Sequence, residues 1–122
     1  MHLEGPSPEI LVVDDDLSVA SIAARYLSRS GFRVMVAQSG AEALQALGDG
    51  AGGVRLVMTD VDLGDMTGLH LAQELSIRYP QVRVLFTAEH SYVGIATPLL
   101  MKPFVSIQLL NAVHRSLNDP TS

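Results

Sequence analysis

The chain has 122 residues, of which 48% are hydrophobic, and its formal net charge is −5. This length fits one domain with a single core, and this hydrophobic content excludes an intrinsically disordered chain. The sequence contains no basic stripe, no cysteine, no signal-peptide pattern and no apolar run near the roughly 18 residues that a membrane span requires. We therefore expect a cytoplasmic protein without disulfides, thiolate metal sites, membrane insertion or direct contact with nucleic acid.

Short apolar runs alternate with helical patterns along the chain. Residues 1–8 are predicted to form an N-terminal tail, residues 9–118 one domain and residues 119–122 a C-terminal tail. The predicted strands are residues 10–13, 33–36, 56–59 with Asp60 at the end, 82–86 and 99–101. The predicted helices run from Asp16 to Gly31, from Ser39 to Leu47, from Gly68 to Tyr79 and over residues 107–117. This alternation predicts βαβ units, and therefore an α/β fold with a parallel sheet and right-handed crossovers.

Carboxylates follow two of the predicted strands. Asp14, Asp15 and Asp16 come directly after the first strand, and Asp60 ends the third. In an open parallel sheet, ligands bind beyond the carboxyl ends of the strands, so neighbouring strands would bring these acids together. Clustered carboxylates repel one another unless a cation lies among them, and hard oxygen ligands suit Mg²⁺. The sequence therefore predicts a magnesium site at this edge.

The fourth and fifth predicted strands end in a hydroxyl and an ammonium group. Thr87 follows the fourth strand, and Lys102, the only lysine in the chain, follows the fifth. Phosphoryl transfer depends mostly on positioning and on neutralising charge. One fixed cation beside an acidic cluster is therefore an arrangement suited to phosphoryl chemistry.

Four segments together resemble the receiver (CheY-like) domain of bacterial two-component response regulators. They are Val12-Val13-Asp14-Asp15, Thr59-Asp60 followed by Met66-Thr67-Gly68, Thr87-Ala88, and Lys102-Pro103-Phe104. The segments stand in the order of that family, and the resemblance covers roughly residues 8 to 118. It implies a single domain with a doubly wound, flavodoxin-like parallel sheet of five strands in the order 2-1-3-4-5.

The resemblance also implies a role for each residue. Asp60 would accept a phosphoryl group from a phosphohistidine. Thr87 would form a hydrogen bond with that group, and Lys102 would pair with its oxygens. The ligands of Mg²⁺ would be Asp14, Asp15, Asp60 and the backbone carbonyl of Asp62. The chain would catalyse only its own phosphorylation and dephosphorylation, and would not otherwise be an enzyme.

The implied partners are proteins. A sensor histidine kinase or a phosphotransfer protein would supply the phosphoryl group, and a downstream protein would read the phosphorylated state. No direct contact with nucleic acid or with a membrane is expected, and a homodimer stays open. The sequence leaves open whether the chain stands alone or forms part of a hybrid kinase or a larger regulator.

Local chemistry separates the ligands from their neighbours. Asp16 is predicted to cap a helix rather than to bind metal, because it directly precedes a helical pattern. The side chains of Asp62 and Asp65 are predicted to be turn residues. The Lys102–Pro103 peptide bond is predicted to be cis, since a tight turn must aim the ammonium group back at the site.

The sequence departs from the family pattern at three places. Gly64 stands where the family usually has proline, which loosens the turn after Asp60, and Leu99 stands where it usually has an aromatic switch residue. The stretch from Ala88 to Met101 is short and contains Gly94 and Pro98. We expect the fourth helix of the family to be short or absent there, leaving a mobile loop or single turn. Partner contact would then fall on the first or last helix, or on the edge left exposed.

Two alternatives to a phospho-acceptor stay open. The first is a receiver-like binding module whose output does not depend on phosphorylation. The second is an enzyme, because residues 56–62 also resemble the nucleophile segment of haloacid-dehalogenase-type phosphatases. Turnover of a small phosphate ester would distinguish the enzyme from the other two.

Overall fold

The structure, a computed structural model, describes residues 9–89 and 99–118. In these ranges, the elements are β1 (Ile10–Val13), α1 (Leu17–Arg29), β2 (Val34–Ala37), α2 (Gly40–Leu47), β3 (Leu56–Asp60), α3 (Gly68–Arg78), β4 (Arg83–Ala88), β5 (Leu99–Met101) and α4 (Ser106–Asn118). The strands form one parallel sheet in the order β2-β1-β3-β4-β5. The predicted fold class and strand order are confirmed.

The central strands are buried on both faces. In β1, Leu11 and Val13 pack in one core layer, and Ile10 and Val12 pack in the other. The first layer also contains buried residues of α2 and α3, and the second contains those of α1 and α4. Helices covering both faces of a parallel sheet explain why its strands are continuous apolar runs rather than alternating ones.

Two helices, α1 and α2, begin at the predicted caps. The carboxylate of Asp16 accepts hydrogen bonds from the first backbone amides of α1, and the hydroxyl of Ser39 accepts one from the Glu42 amide in α2. The Glu42 carboxylate accepts a bond at 3.3 Å from the Gln38 amide, one residue before the cap. These bonds satisfy amides that have no partner within the helix. The prediction that Asp16 is a helix cap is confirmed.

Strand β4 lies further along the chain than its sequence pattern predicts. It spans Arg83–Ala88, because Thr87 and Ala88 still pair with β5 and Thr87 pairs with Asp60 of β3. The Val82 amide instead donates to the Tyr79 carbonyl at 2.9 Å, so Val82 belongs to the preceding turn. Strand β2 is likewise shifted by one residue, since the pattern predicts 33–36 and the strand occupies 34–37. The extension of β4 matters for the site because it brings Thr87 into the sheet.

The family's fourth helix, which the sequence predicts to be short or absent, would lie in the connection between β4 and β5. It is not the helix labelled α4 here, which follows β5. Residues 90–98 of that connection lie outside the described residues, so the loop or single turn expected there remains a prediction. Leu99 is half-buried at the start of β5 and packs against a small cluster that includes Phe86. None of the helices in the described ranges has both the length and the apolar character to cross a membrane.

Candidate functional site at the carboxyl edge of the sheet

Four strands end at one edge of the sheet and bring polar side chains together there. Asp14 directly follows β1, and Asp60 is the last residue of β3, which pairs with β1. Thr87 lies opposite Asp60 in the ladder between β3 and β4. Lys102 directly follows β5, which pairs with β4. The predicted convergence of these strand ends is therefore observed.

Three carboxylates form a cluster at this edge. Oxygen atoms of Asp14, Asp15 and Asp60 all lie within 4.8 Å of one another. Asp14 is buried, Asp60 is half-buried and Asp15 is exposed. The cluster is thus anchored in the core at one end and open to solvent at the other, so that a small ion or a phosphoryl group has access to it.

Lys102 binds two of these carboxylates. Its Nζ lies 3.0 Å from Oδ2 of Asp14 and 2.9 Å from Oδ2 of Asp60, and its side chain is 9% exposed. Burial acts to lower the pKa of Lys102, but the hydrogen bonds and charges of Asp60 and Asp14 outweigh it and raise the pKa above 10.5. The ammonium group therefore stays charged at physiological pH.

Backbone amides hold the remaining carboxylate oxygens. The Asp16 amide donates to Oδ1 of Asp14 at 2.9 Å, and the Asp62 amide donates to Oδ1 of Asp60 at 3.2 Å. Burial raises the pKa of Asp14, while the bond from Asp16 and the contact with Lys102 oppose that rise. The carboxylates of Asp14 and Asp60 are thus each fixed on one oxygen by an amide and on the other by Lys102.

Thr87 is buried beside Asp60. Residues paired across a ladder project from the same face of a sheet, so the hydroxyl of Thr87 and the carboxylate of Asp60 lie on one side. The Thr87 carbonyl accepts a bond from the Val61 amide at 3.0 Å, which continues the pairing one residue past β3. The ladder thus puts Thr87 and Asp60 on the same face of the sheet at its carboxyl edge.

The turn after Asp60 is built on two glycines. Gly64 has a φ of +87°, which proline, with φ fixed near −65°, could not adopt. A Cβ at Gly68 would lie 2.3 Å from the carbonyl oxygen of Asp60, so only glycine fits where α3 starts against the end of β3. The side chain of Asp62 accepts a bond from the Gly64 amide at 3.3 Å, as expected of a turn residue.

Two features around the site are not predictable from the sequence pattern. Asp65, expected to be only a turn residue, accepts hydrogen bonds from amides of α2 that lie 25 and 24 residues earlier in the chain. A cavity of about 430 Å³ also opens beside Lys102, lined by Val19, Ile22, Glu89, Lys102, Pro103 and Phe104. No local sequence pattern signals either feature, since both depend on how separate elements pack.

The Lys102–Pro103 bond at the cavity wall is cis, which confirms the prediction.

The donor set fits a divalent cation. Three carboxylates and one ammonium carry a formal charge of −3 + 1 = −2, which a single divalent ion offsets. The donors are all carboxylate oxygens, which suit Mg²⁺ better than softer metals. Four of the residues named from the sequence as catalytic or metal-binding thus lie at one place: Asp14, Asp15, Asp60 and Lys102.

Comparison with known proteins agrees with this geometry. Residues 10–114 match the family model described as the response regulator receiver domain. The transcriptional activator protein ExaE of Pseudomonas putida is 36% identical over 118 residues, covering 88% of this chain and 54% of that protein. The sensor kinase CckA of Brucella abortus is 31% identical over 119 residues, covering 91% of this chain and 13% of that kinase.

A solved structure shows the same fold. The crystal structure of the receiver domain of NtrX from Brucella abortus matches with a TM-score of 0.82 and 28% identity, covering 91% of this chain and 99% of that one. The chain spans about half of ExaE and a smaller part of CckA. On the family match, the strand order and the clustered carboxylates, the chain belongs to the response regulator receiver domain family.

Proposed function

We propose that Asp60 is the phospho-acceptor of this receiver domain, and that its phosphorylation switches contacts with a downstream protein. The donor is a phosphohistidine of a sensor histidine kinase or of a phosphotransfer protein. The observation that supports the proposal best is the position of the Asp60 carboxylate, 2.9 Å from Lys102 and in one cluster with Asp14 and Asp15. Receiver domains are signalling modules that bind Mg²⁺ at such an acidic pocket.

The reaction is a transfer from nitrogen to oxygen. A carboxylate oxygen of Asp60 attacks phosphorus, the P–N bond of the phosphohistidine breaks, and its electron pair returns to the imidazole ring. An anionic donor and a carboxylate nucleophile repel each other, so fixed positive charge is required at the point of attack. Lys102 supplies one such charge directly on Asp60.

Mg²⁺ would be held by Asp14, Asp15, Asp60 and the backbone carbonyl of Asp62. When bound, it would supply the further positive charge that offsets the anionic donor. The Thr87 hydroxyl would donate a hydrogen bond to an oxygen of the transferred group, since Thr87 is paired with Asp60 in the sheet. Lys102 would pair with another of these oxygens.

The relatives carry the matched region in proteins of different kinds. ExaE is named a transcriptional activator and CckA a sensor kinase, and in both the matched region is only part of the protein. We infer that this chain itself contacts proteins rather than nucleic acid or membrane, and works in the cytoplasm. A homodimer remains a prediction.

The fold favours a receiver over the phosphatase alternative. Asp60 ends the third of five strands in the order β2-β1-β3-β4-β5, and the family match covers residues 10–114. A binding module that does not depend on phosphorylation would keep the same fold, so only a phosphorylation assay separates it from the proposed function.

That assay uses acetyl phosphate as the donor. The purified chain is incubated with acetyl phosphate and Mg²⁺, and incorporation of acid-labile phosphate is followed by intact mass. We expect incorporation that stops when Mg²⁺ is removed by a chelator and is abolished in Asp60→Asn. A chain that binds Mg²⁺ but takes no phosphate from acetyl phosphate or from phosphorylated kinases would support the binding module instead.

A further inference from the structure

The turn that connects the proposed acceptor to α3 is tied to the start of α2. Oδ1 of Asp65 accepts a hydrogen bond from the Gly40 amide at 3.0 Å, and Oδ2 accepts one from the Ala41 amide at 3.1 Å. Gly40 and Ala41 are the first residues of α2, and amides at that position have no partner within their own helix. Both oxygens of the carboxylate are therefore engaged on another element.

The next residue strengthens the same contact. The side chain of Met66 packs on Gly40, where an added Cβ would lie 2.3 Å from the sulfur atom. Met66 also packs against the core layer that contains residues of α2 and α3. Asp65 and Met66 together therefore join the turn to α2, one by hydrogen bonds and the other by packing.

The turn is closed by its own backbone hydrogen bonds, from the Leu63 amide to the Met66 carbonyl and from the Gly68 amide to the Val61 carbonyl, and the contacts with α2 add an anchor outside it. Gly64 has a φ of +87°, and glycine gives the backbone more conformational freedom than any other residue. The turn also passes close to the acidic cluster, because a Cβ at Gly64 would lie 3.7 Å from Oδ2 of Asp15. Within the turn, the Asp62 amide donates to Asp60 and the Asp62 side chain accepts from the Gly64 amide. A shift of Gly64 would thus move the groups around Asp60.

We propose that Asp65 is a positioning residue for the cation site. By holding the turn against α2, it keeps the Asp62 amide on Asp60 and thereby fixes the backbone of residue 62, whose carbonyl the proposed function assigns to the cation. Asp65 itself would not bind the cation, since it is not one of the three clustered carboxylates and its oxygens face the start of α2. The inference rests on the proposed function of the site.

The test compares Asp65→Ala with Ser39→Ala. Ser39 caps the same helix by accepting a bond from the Glu42 amide at 3.0 Å, so each variant removes a side-chain acceptor from the start of α2. Only Asp65 belongs to the turn beside the carboxylates. Two quantities are measured: the Mg²⁺ dissociation constant by titration calorimetry, and hydrogen exchange of the Asp62 and Gly64 amides in Mg²⁺-free protein.

We expect Asp65→Ala to weaken Mg²⁺ binding about 10-fold, the lower end of what loss of an outer-shell partner costs. The Asp62 and Gly64 amides should exchange faster in that variant, because the turn is released. Ser39→Ala should leave both quantities near those of the wild type. Asp65→Asn, which keeps one carbonyl acceptor, should fall between the wild type and Asp65→Ala and provides a second variant if Asp65→Ala does not fold.

Two results would overturn the inference. If Asp65→Ala and Asp65→Asn bind Mg²⁺ like the wild type, or if Ser39→Ala weakens binding as much as they do, then Asp65 acts only on the stability of α2. If the wild type itself binds no Mg²⁺, the proposed function fails as well. The wild-type titration therefore distinguishes the two failures.

Discussion

Lys102 lies between two carboxylates that would otherwise repel each other. Its side chain is 9% exposed, and those of Asp14 and Asp60 are 3% and 15% exposed. Removing one partner of a buried ion pair is costly because the remaining charge is left uncompensated. In this site the cost depends on which partner is removed. Loss of Lys102 leaves two carboxylates without their shared cation, whereas loss of Asp60 leaves Lys102 still paired with Asp14.

Lys102→Met should therefore destabilise the Mg²⁺-free protein. We expect a loss of about 3 kcal/mol in the free energy of unfolding, measured by urea denaturation, because Asp14 would be buried without a counter-charge. Added Mg²⁺ should restore part of the loss, since a bound cation stabilises the folded state by mass action.

Asp60→Asn should behave in the opposite way. It removes one of three neighbouring negative charges, so the Mg²⁺-free protein is expected to keep or gain stability, within about 1.5 kcal/mol of the wild type. Both variants can be compared in the same urea series. A larger loss in Asp60→Asn than in Lys102→Met would show that repulsion within the cluster is not what Lys102 offsets.

At the scale of elements, α3 packs against the end of β3 through Gly68. Alanine is preferred over glycine by about 1 kcal/mol in a helix interior and by less at the first residue, so helix propensity favours Gly68→Ala only slightly. The new Cβ would lie 2.3 Å from the backbone oxygen of Asp60, and forced overpacking costs about 1 to 3 kcal/mol. We expect the clash to decide, and Gly68→Ala to lower the free energy of unfolding.

Gly50→Ala is the control for this substitution. A Cβ at Gly50 would meet nothing within 4 Å, and its φ is not in the left-handed region. The free energy of unfolding should be unchanged or slightly higher in this variant. Equal stability of the two variants in thermal unfolding would mean that α3 can shift away from Asp60 at little cost.

The contact between Asp65 and α2 predicts a dependence on pH. Hydrogen bonds from the Gly40 and Ala41 amides lower the pKa of Asp65 below its ordinary value of 3.8. Because the folded state binds this proton more weakly than the unfolded state, the ionised carboxylate adds stability that is fully present above pH 3.8 and is lost as pH falls through the lower, folded pKa. The gap in unfolding free energy between the wild type and Asp65→Ala should close in that acidic range.

This gap is measured by urea denaturation at a series of pH values. Asp65 is exposed, so solvent screens the effect and the gap is expected to be small. A gap that stays constant down to the most acidic point would mean that the Asp65 charge contributes nothing and that only its packing matters.

At the scale of the whole molecule, most of the fold can be predicted from local patterns. The apolar runs before Asp14 and Asp60 predict buried strands, and alternation with helical segments predicts a parallel sheet. Once these strands are neighbours, their carboxylates and Lys102 must meet at one edge. The strand order depends on the family resemblance, because alternation alone does not fix it.

Features that the sequence could not predict depend on packing between distant segments. The hydrogen bonds that Asp65 accepts from α2 join residues 25 and 24 positions apart in the chain. The cavity beside Lys102 forms between α1 and the residues after β5. The apolar pattern of β4 ends at residue 86, yet Thr87 and Ala88 extend the strand because β3 and β5 offer them partners. Pairing of that kind is tertiary and leaves no trace in local propensity.

The most direct test of the central claim is to locate the phosphate. The wild-type chain is phosphorylated with acetyl phosphate and Mg²⁺, digested, and mapped by peptide mass spectrometry, with Asp16→Asn, which keeps a side-chain oxygen for the cap of α1, as a matched control beside the site. We predict one acid-labile phosphate on Asp60 in both proteins. Phosphate on any other residue, or incorporation into Asp60→Asn at the wild-type level, would contradict the assignment of Asp60 as the acceptor.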